Sequence, residues 1–258
     1  MIQFLIKLPI FKRLIPSIGI RILRFFKKNR GYFKIAGIDF YLDFLDPIDR
    51  QIILNQKYED DQVLFFNKQM NKVSFDYFFD IGANSGYYSF YFADKFKNLK
   101  IRAFEPNLEP FNKFKKTLNK NSFKNIEVFN FGLSNEEKKV RMSSMISHDY
   151  IHSNSTIIEK FDKSIDNNIK ISESSVKIGD NLYNYSQKKI AFKIDVEGYE
   201  IYTLKGLANN LLNNQCLIMI EINTKKFEEV NKFLVQSNFK QIFKSKYRSD
   251  YVYTNFSI

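Results

Sequence analysis

The 258-residue chain lacks several features that would narrow its function at once. With one cysteine, Cys216, it cannot form a disulfide within a single chain, which agrees with a reducing compartment. Cys216 lies in an apolar run that predicts a buried strand, so we expect a core thiol and no catalytic role. Residues 1–30 contain no apolar run near the ~20 residues that a membrane-spanning helix needs. They are also interrupted by basic residues and followed by no small-residue cleavage site, so no secretory signal is expected.

Acidic residues are absent from residues 1–30, which carry eight basic side chains and supply +8 of the net charge of +12. Residues 18–28 are amphipathic, and two interpretations stay open. The segment makes peripheral contact with an anionic membrane surface, or it packs its apolar face on the protein body. A nucleic-acid arm is a weaker third interpretation, because no aromatic stacking platform accompanies the basic residues. We expect the protein in the cytoplasm, and a location at the inner face of the membrane is the alternative.

Residues 77–89 have the pattern of a buried strand, a tight turn and a helix start. An apolar run leads into Asp80, and Gly82 and Gly86 follow four residues apart. The P-loop signature is missing, since no Gly-Lys-Ser/Thr follows. The dinucleotide signature is incomplete, because Asn84 stands where its second glycine belongs, and this disfavours an oxidoreductase. The turn predicts a site for a nucleotide-like ligand; an ordinary turn without a ligand is the alternative.

Glu105 ends the next apolar strand, 23 residues after Gly82. This is about the distance at which a carboxylate meets the ribose hydroxyls in nucleotide-binding α/β folds. A carboxylate suits a ribose diol because it accepts two hydrogen bonds at once. The alternative is a solvated carboxylate at a strand end, but Pro106 ends the strand directly after it and favours a positioned one.

The order of the predicted elements gives the fold class. After a β-hairpin at 32–43 and helical segments at 48–71, strands and helices alternate with short connections, which argues for a parallel sheet. We divide the chain into a basic amphipathic, hairpin and helical region at 1–72 and a ligand-binding domain at 73–258. Within the latter, residues 134–175 are polar and weakly periodic, and we interpret them as an insertion or lid. The predicted elements are strands at 76–81, 100–105, 126–131, 190–195, 216–222, 239–244 and 250–256, and helices at 86–97, 108–120, 178–186, 200–212 and 225–236.

A third polar cluster follows the fourth strand of the predicted sheet. Lys193, Asp195 and Glu197 alternate there, so they share one side if the strand stays extended, and Gly198 permits a turn. The carboxyl ends of parallel strands are where open α/β sheets place their chemistry. Buried charges of this kind need mutual pairing or a ligand. A purely structural lysine–carboxylate network is the alternative.

Together these segments resemble the FkbM family of S-adenosylmethionine-dependent methyltransferases. The resemblance covers roughly residues 74–225, and its motifs are Asp-Ile-Gly-Ala-Asn-Ser-Gly-Tyr-Tyr, Phe-Glu-Pro-Asn, Phe-Gly-Leu-Ser, Lys-Ile-Asp-Val-Glu-Gly-Tyr-Glu and Met-Ile-Glu-Ile. It implies a Rossmann-like class I methyltransferase fold, with helices flanking a mostly parallel seven-stranded sheet of order 3-2-1-4-5-7-6 whose last strand is antiparallel. The hairpin and helices before it suit the family's usual N-terminal region.

The resemblance also implies a cofactor, S-adenosylmethionine, and the residues around it. Glu105 would hold the ribose hydroxyls, and Asn107 with the 130–133 strand end would approach the adenine. Family members have Ala where Gly132 stands, a small departure. The implied cofactor-binding residues are Asp80, Gly82, Ala83, Asn84, Gly86, Tyr87, Glu105, Asn107, Asn130, Gly132 and Asp195.

Methyl transfer to a hydroxyl needs a group that removes its proton, and either a general base or a divalent metal that lowers its pKa serves. We take Asp195 and Glu197 as the leading pair, with Glu221 as a third ligand or orienting carboxylate and Lys193 among the catalytic residues. The same three acids are the candidate metal ligands. His148 and His152, four residues apart, could share a metal, or they are exposed loop histidines.

Members that resemble this chain commonly methylate hydroxyls of sugars or polyketide-like products, so the expected acceptor is a sugar in a glycan or glycolipid. An RNA or protein methyltransferase is the alternative enzyme, although Asp-Val-Glu-Gly at 195–198 replaces the Asn/Asp-Pro-Pro-Tyr of enzymes that methylate base amino groups. A non-catalytic cofactor-binding assembly module is the third hypothesis. The oligomeric state is not encoded in any motif that we recognise.

Overall fold

The structure is a computed structural model, and it describes residues 29–147, 150–158, 168–246 and 248–258. The amphipathic segment at 18–28 and His148 lie outside the described residues, and only the backbone of His152 is described. The strands are β1 (Arg30–Ile35), β2 (Ile38–Asp43), β3 (Tyr77–Ile81), β4 (Lys100–Phe104), β5 (Ile126–Phe129), β6 (Gly132–Ser134), β7 (Lys138–Ser147), β8 (Tyr150–Ile158), β9 (Ile169–Ile178), β10 (Lys189–Ile194), β11 (Gln215–Glu221), β12 (Lys240–Lys244) and β13 (Asp250–Thr254).

Helices connect these strands, and in the described parts of the chain none of them is both long and apolar enough to cross a membrane. Capping side chains fix where two helices begin. Asp46 accepts from the backbone N–H groups of Ile48 and Asp49 at the start of the helix Pro47–Asn55, and Asn107 accepts from that of Glu109 at the start of the helix Leu108–Lys120. The helices are α1 (Pro47–Asn55), α2 (Asp60–Met70), α3 (Tyr87–Lys95), α4 (Leu108–Lys120), α5 (Gly179–Leu182), α6 (Glu200–Lys205), α7 (Ala208–Asn213) and α8 (Phe227–Gln236), with a 3-10 turn at Thr224–Lys226.

The main sheet has seven strands in the order β5-β4-β3-β10-β11-β13-β12. Numbered along the chain within this sheet, that is the predicted order 3-2-1-4-5-7-6, and the prediction is confirmed. The pairs from β5 to β11 are parallel, whereas β13 runs antiparallel to both of its neighbours. The fold is therefore the Rossmann-like class I methyltransferase fold, with a mixed sheet.

The central strands are mainly apolar because both faces of the sheet are covered. Successive side chains point to opposite faces, so Phe78 and Ala191 join one core cluster while Phe79 and Phe192 join the other. All four side chains are fully buried. This arrangement holds the carboxyl ends of β3, β4, β10 and β11 along one edge of the sheet.

The N-terminal hairpin and α1 pack on α4 through buried polar contacts. Lys113 Nζ lies 2.6 Å from Asp49 Oδ2 and 3.6 Å from Asp46 Oδ2, and all three side chains are buried. Burial raises the pKa of Asp49 to about 6, although the Lys113 cation favours its charged form. The backbone N–H of Tyr41 also donates to Thr117 Oγ1, at 2.9 Å. These contacts join the segment before residue 72 firmly to the sheet domain.

Within 134–175, the stretch that we interpreted as an insertion or lid, the described residues form most of a second sheet of order β6-β9-β7-β8. The helix predicted at 178–186 is only the single turn of α5, and the one predicted at 200–212 divides into α6 and α7. The division lies at Gly206, where a Cβ atom would come within 1.9 Å of the Ser134 carbonyl oxygen. Close packing of β6 against the main domain therefore interrupts that helix.

Candidate functional site

The turn after β3 owes its shape to three left-handed residues. Gly82, Asn84 and Gly86 have φ angles of 79°, 51° and 89°. Asparagine is one of the few residues other than glycine that adopts this conformation readily. Asn84 can therefore occupy the position at which the dinucleotide signature has its second glycine. A Cβ atom on Gly82 would lie 1.8 Å from the Asp195 carbonyl oxygen. The turn thus lies directly against the backbone that follows β10.

Gly82→Ala is expected to lower the free energy of unfolding by about 3–5 kcal/mol, because it combines the left-handed strain with this backbone clash. Gly37→Ala is the matched control. Gly37 has a φ of 91°, but a Cβ atom added to it would have no other atom within 4 Å, so only the strain, about 1 kcal/mol, should appear. Urea unfolding measures the free energy of unfolding of both variants. Equal losses in the two would contradict the close approach of Gly82 to the Asp195 carbonyl oxygen.

Asp80 lies beneath the turn, fully buried, and braces the start of α3. Its Oδ2 atom accepts hydrogen bonds from the backbone N–H and the hydroxyl of Ser89, at 3.1 and 2.6 Å. Its Oδ1 atom has no hydrogen-bond partner. Burial raises the pKa of Asp80, while the Lys193 cation and the Ser89 hydrogen bonds lower it. Asp80 therefore supports the turn from below, and its contact with the cofactor stays a prediction.

Glu105 faces the turn from the end of β4. One carboxylate oxygen accepts from the backbone N–H of Asn84 and the other from that of Asn107, both at 2.8 Å. Each oxygen keeps a further lone pair for a ligand. Burial raises the pKa of Glu105 to about 7, although these two hydrogen bonds and the Lys193 cation favour the charged form. The group is held rigidly and titrates near neutrality.

A first cavity lies between the two sheets and has chemically different ends. One end is polar and is formed by the turn, Glu105 and Asp195. The other is apolar, and the second sheet closes it with Met142, Ile157 and Val176. Its lining residues are Ile81, Gly82, Asn84, Glu105, Pro106, Gly132, Leu133, Met142, Ser155, Ile157, Val176, Asp195, Val196, Glu197 and Tyr199.

Other predicted cofactor residues lie beside this cavity. Asn107 is buried, and its side-chain amide donates to Ser155 Oγ at 3.1 Å. Asn130 donates to the Glu105 carbonyl oxygen and braces that strand end. Gly86 lies against the ring of Phe114, since a Cβ atom would be 2.5 Å from it. Ala83 and Tyr87 line a different cavity. Asn107, Asn130 and Gly86 thus shape the surroundings of the first cavity.

That second cavity opens on the other side of the turn. It shares Asn84, Asp195 and Glu197 with the first cavity, so these three residues form the junction between them. Its remaining lining residues are Pro47, Ile48, Gln51, Ile52, Tyr58, Ala83, Ser85, Tyr87, Tyr88, Lys193, Glu221 and Arg248.

Lys193 is buried behind the junction. Its ammonium group donates to Asp195 Oδ2 at 3.1 Å and to the Gly82 carbonyl oxygen at 3.2 Å, and lies 5.3 Å from the Tyr88 ring centre. Burial alone would lower the pKa of Lys193, but the carboxylates of Asp195, Asp80 and Glu59 raise it. Lys193 therefore stays charged and ties the end of β10 to the glycine turn.

Glu197 and Glu221 are two acids of the second cavity whose pKa values are raised. Desolvation and the nearby Asp195 and Glu200 carboxylates raise the pKa of Glu197. Burial, Asp195 and Asp250 raise the pKa of Glu221 to about 8. Both groups face the second cavity, and Glu197 also faces the first. The site thus has acids that titrate above their usual range.

The strand does not stay extended as far as Glu197. This residue has a φ of 48° and Gly198 one of 98°, so the shared side predicted for the polar cluster ends at Asp195. Two side chains hold the turn: Thr156 donates to the Glu197 carbonyl oxygen at 2.8 Å, and the Lys226 ammonium group donates to that of Gly198. Through Thr156, the second sheet reaches the loop that carries the junction carboxylates.

Several site residues were missed by the sequence analysis. Arg248 pairs with the Glu59 carboxylate, which also accepts from the Tyr88 hydroxyl. Asp250 lies opposite Glu221 in the β11–β13 register. Tyr58, from the α1–α2 connection, completes the wall. Glu59 precedes a helix and Asp250 begins a strand, and neither position carries a motif that would have identified it.

The candidate metal ligands Asp195, Glu197 and Glu221 line a common cavity. Over the described ranges, however, no group of three or more His, Cys, Asp or Glu side chains has an arrangement that could hold a metal ion.

Comparisons with known proteins were made at the level of family, sequence and structure. No curated protein sequence matches the chain. Among solved structures, a human methyltransferase 10 domain containing protein is similar with a TM-score of 0.48 and 10% identity, over 93% of this chain and 95% of that one. An rRNA methylase from Streptococcus thermophilus gives a TM-score of 0.44 and 12% identity, over 75% and 94%. M. jannaschii TYW2 in complex with AdoMet gives 0.43 and 13%, over 88% and 84%.

The family comparison matches the methyltransferase FkbM domain to residues 80–245, which is more than half of the chain. This range begins at the aspartate under the glycine turn and includes Glu105, the junction residues and Glu221. The chain belongs to the FkbM methyltransferase family, and its cofactor is S-adenosylmethionine.

Proposed function

We propose that the protein is an O-methyltransferase that transfers the methyl group of S-adenosylmethionine to a hydroxyl of a sugar in a glycan or glycolipid. The observation that carries the proposal is the meeting of two cavities at Asn84, Asp195 and Glu197. A methyl donor in the first cavity and an acceptor in the second would touch at this junction, where carboxylates are available.

The polar and apolar parts of the first cavity suit the corresponding parts of the cofactor. The free lone pairs of Glu105 would accept from the ribose hydroxyls, and the apolar end would cover the adenine. The turn from Gly82 to Asn84 would lie along the methionine part. When bound, the cofactor supplies an electrophilic methyl group on its sulfonium.

A sugar hydroxyl is a weak acid, so the protein must accept its proton as the new C–O bond forms. Glu197 is the proposed general base because it lies at the junction and its raised pKa improves its basicity. Asp195, neutralised by Lys193, would stay nearest the cofactor. Glu221, largely protonated near neutrality, would donate a hydrogen bond that orients the acceptor.

The charge of the second cavity favours a neutral polyhydroxyl acceptor over RNA. With Glu221 protonated, the carboxylates of Asp195 and Glu197 balance the cations Lys193 and Arg248, and both cations are already paired with carboxylates. Phosphate groups need unpaired cationic side chains, which this wall does not supply. The tyrosine rings beside the carboxylates offer apolar faces for a sugar ring next to polar groups for its hydroxyls.

Thr156→Val is expected to lower kcat roughly tenfold, because loss of one hydrogen bond frees the turn that carries Glu197. Thr156→Ser, which keeps the hydroxyl, should restore most of the rate. Steady-state kinetics on both variants test the positioning role. Equal rates for Val and Ser variants would contradict it.

The affinity for S-adenosylhomocysteine should depend on pH through Glu105, whose pKa is about 7. Ribose hydroxyls donate to the ionised carboxylate, so binding should weaken about tenfold for each pH unit below 7 and level off above it.

The stability of the ligand-free protein should change with pH in the opposite sense. An acid with a raised folded pKa stabilises below its unfolded value of 4.5, and this contribution is lost as pH rises to 7. In Glu105→Gln both dependences should shrink, and calorimetry with thermal melts at pH 5.5–8 measures them.

The acceptor class is tested with S-adenosylmethionine that is radiolabelled in its methyl group. Cell-envelope carbohydrate, total RNA and total protein from the source organism are incubated separately with the enzyme. We expect label in the carbohydrate fraction that resists nuclease and protease digestion. Label confined to RNA or protein would overturn the proposed acceptor.

A further inference from the structure

The second cavity does not end at the residues that surround a single acceptor sugar. A third cavity continues from it and shares Gln51 and Arg248 with it. The helices α1 and α2, the connection between them and the β12–β13 loop form its walls. The residues that line it are Gln51, Asn55, Lys57, Glu59, Asp61, Gln62, Ser245 and Arg248.

All eight of these described residues have polar or charged side chains. They provide both donors and acceptors, which suits a ligand with many hydroxyl groups. A hydrocarbon or polyketide portion would bury little apolar surface against such a wall. The third cavity therefore favours a second sugar unit next to the methylated sugar and disfavours an apolar group at that position.

The charges of the third cavity balance. Lys57 and Arg248 are matched by Glu59 and Asp61, and Arg248 pairs directly with Glu59. A diphosphate, as in a sugar nucleotide, would meet two carboxylates and gain little from cations that are already compensated. A neutral sugar unit is not repelled by these carboxylates.

The wall between the two cavities is also preorganised. Glu59 is nearly buried and held in the left-handed region, with a φ of 50°, while its carboxylate bonds Tyr88 and Arg248. Gln62 donates to Asp250 Oδ2 at 2.6 Å. Backbone strain that surrounding contacts hold in place is typical of binding sites. The polar groups at this boundary need little rearrangement to receive a ligand.

We propose that the acceptor is a carbohydrate chain, in which the methylated sugar occupies the second cavity and the adjoining sugar unit occupies the third. A free monosaccharide or a sugar nucleotide would use the second cavity alone. This inference rests on the proposed function and specifies its substrate: methylation follows glycosidic bond formation, so a glycosyl transfer reaction must supply the acceptor.

The test compares acceptors that differ only in chain length. Cell-envelope carbohydrate is hydrolysed partly to oligosaccharides and fully to monosaccharides, and UDP-glucose is the charged probe. With methyl-labelled cofactor, we expect kcat/KM at least roughly tenfold higher for oligosaccharides than for monosaccharides or UDP-glucose, from two or more added hydrogen bonds. Equal or faster labelling of monosaccharides or of UDP-glucose would overturn the inference while leaving sugar methylation in place. No label in any sugar would overturn the proposed function and this inference with it.

A double variant localises the effect. Asn55→Ala with Lys57→Met alters only the third cavity, and it should lower kcat/KM for oligosaccharides about tenfold while the Kd of S-adenosylhomocysteine stays unchanged. Asn209→Ala with Lys205→Met is the matched control, since both residues are exposed on α7 and α6, outside these cavities. A double variant that methylates oligosaccharides as fast as this control would overturn the assignment of the third cavity.

Discussion

Replacing Glu105 with alanine is expected to weaken the binding of S-adenosylhomocysteine by on the order of 100-fold. The carboxylate lines the first cavity with two lone pairs free, and charge-assisted hydrogen bonds to a ribose diol are worth about 1.5–3 kcal/mol each. The loss should appear in Kd, which isothermal titration calorimetry measures directly, and turnover at saturating cofactor should change far less.

Two further variants separate this binding loss from a folding defect. Glu105→Gln keeps an acceptor for one of the backbone N–H groups of Asn84 and Asn107, and it should also bind weakly. Glu136→Ala removes an exposed carboxylate of the β6–β7 connection and should bind as the unmodified protein does. A Glu105→Ala protein with native circular dichroism and unchanged Kd would contradict the placement of the ribose.

The second large effect is expected at Glu197. Glu197→Gln preserves shape and removes the basic carboxylate, so kcat should fall by about 10²–10⁴-fold, the usual contribution of a general base. The Kd of S-adenosylhomocysteine should stay near that of the unmodified enzyme, because the reaction step alone is affected. Presteady-state methyl transfer with a saturating acceptor measures the chemical step.

Glu229→Gln, an exposed glutamate of α8, is the control for this substitution. Glu221→Gln should have a smaller effect on kcat and a larger one on the KM of the acceptor, as expected of an orienting group. Unchanged turnover in Glu197→Gln would contradict its role as base, and a large loss in Glu221→Gln alone would move that role to Glu221.

The main sheet could be predicted because its strands are continuous apolar runs separated by helices of ordinary length. Right-handed crossovers then leave few arrangements for such a series. The second sheet could not be predicted, since its buried cluster consists only of Val140, Met142 and Val176 among the described residues. Its strands are otherwise rich in serine and lysine, so their periodicity is weak. Tertiary pairing of β7 with β9 stabilises them in place of a local signal.

The candidate site was predictable where a strand of the main sheet ends. Gly82, Glu105 and Asp195 follow β3, β4 and β10, and parallel strands bring their carboxyl ends to one edge. Their roles toward the cofactor remain predictions. Thr156 and Arg248 come from segments distant in sequence, and they reach the site only because the second sheet and the β12–β13 loop fold over it. Nothing local in the sequence marks such residues.

We propose that this chain methylates a sugar oxygen at the junction of the first and second cavities. The most direct test of this reaction is carbon-13 NMR of the product formed from cofactor labelled in the methyl group. We predict a methyl signal bonded through oxygen to a sugar ring carbon, formed by the unmodified enzyme and strongly reduced in Glu197→Gln. A methyl signal on nitrogen, or equal product from both enzymes, would contradict the account.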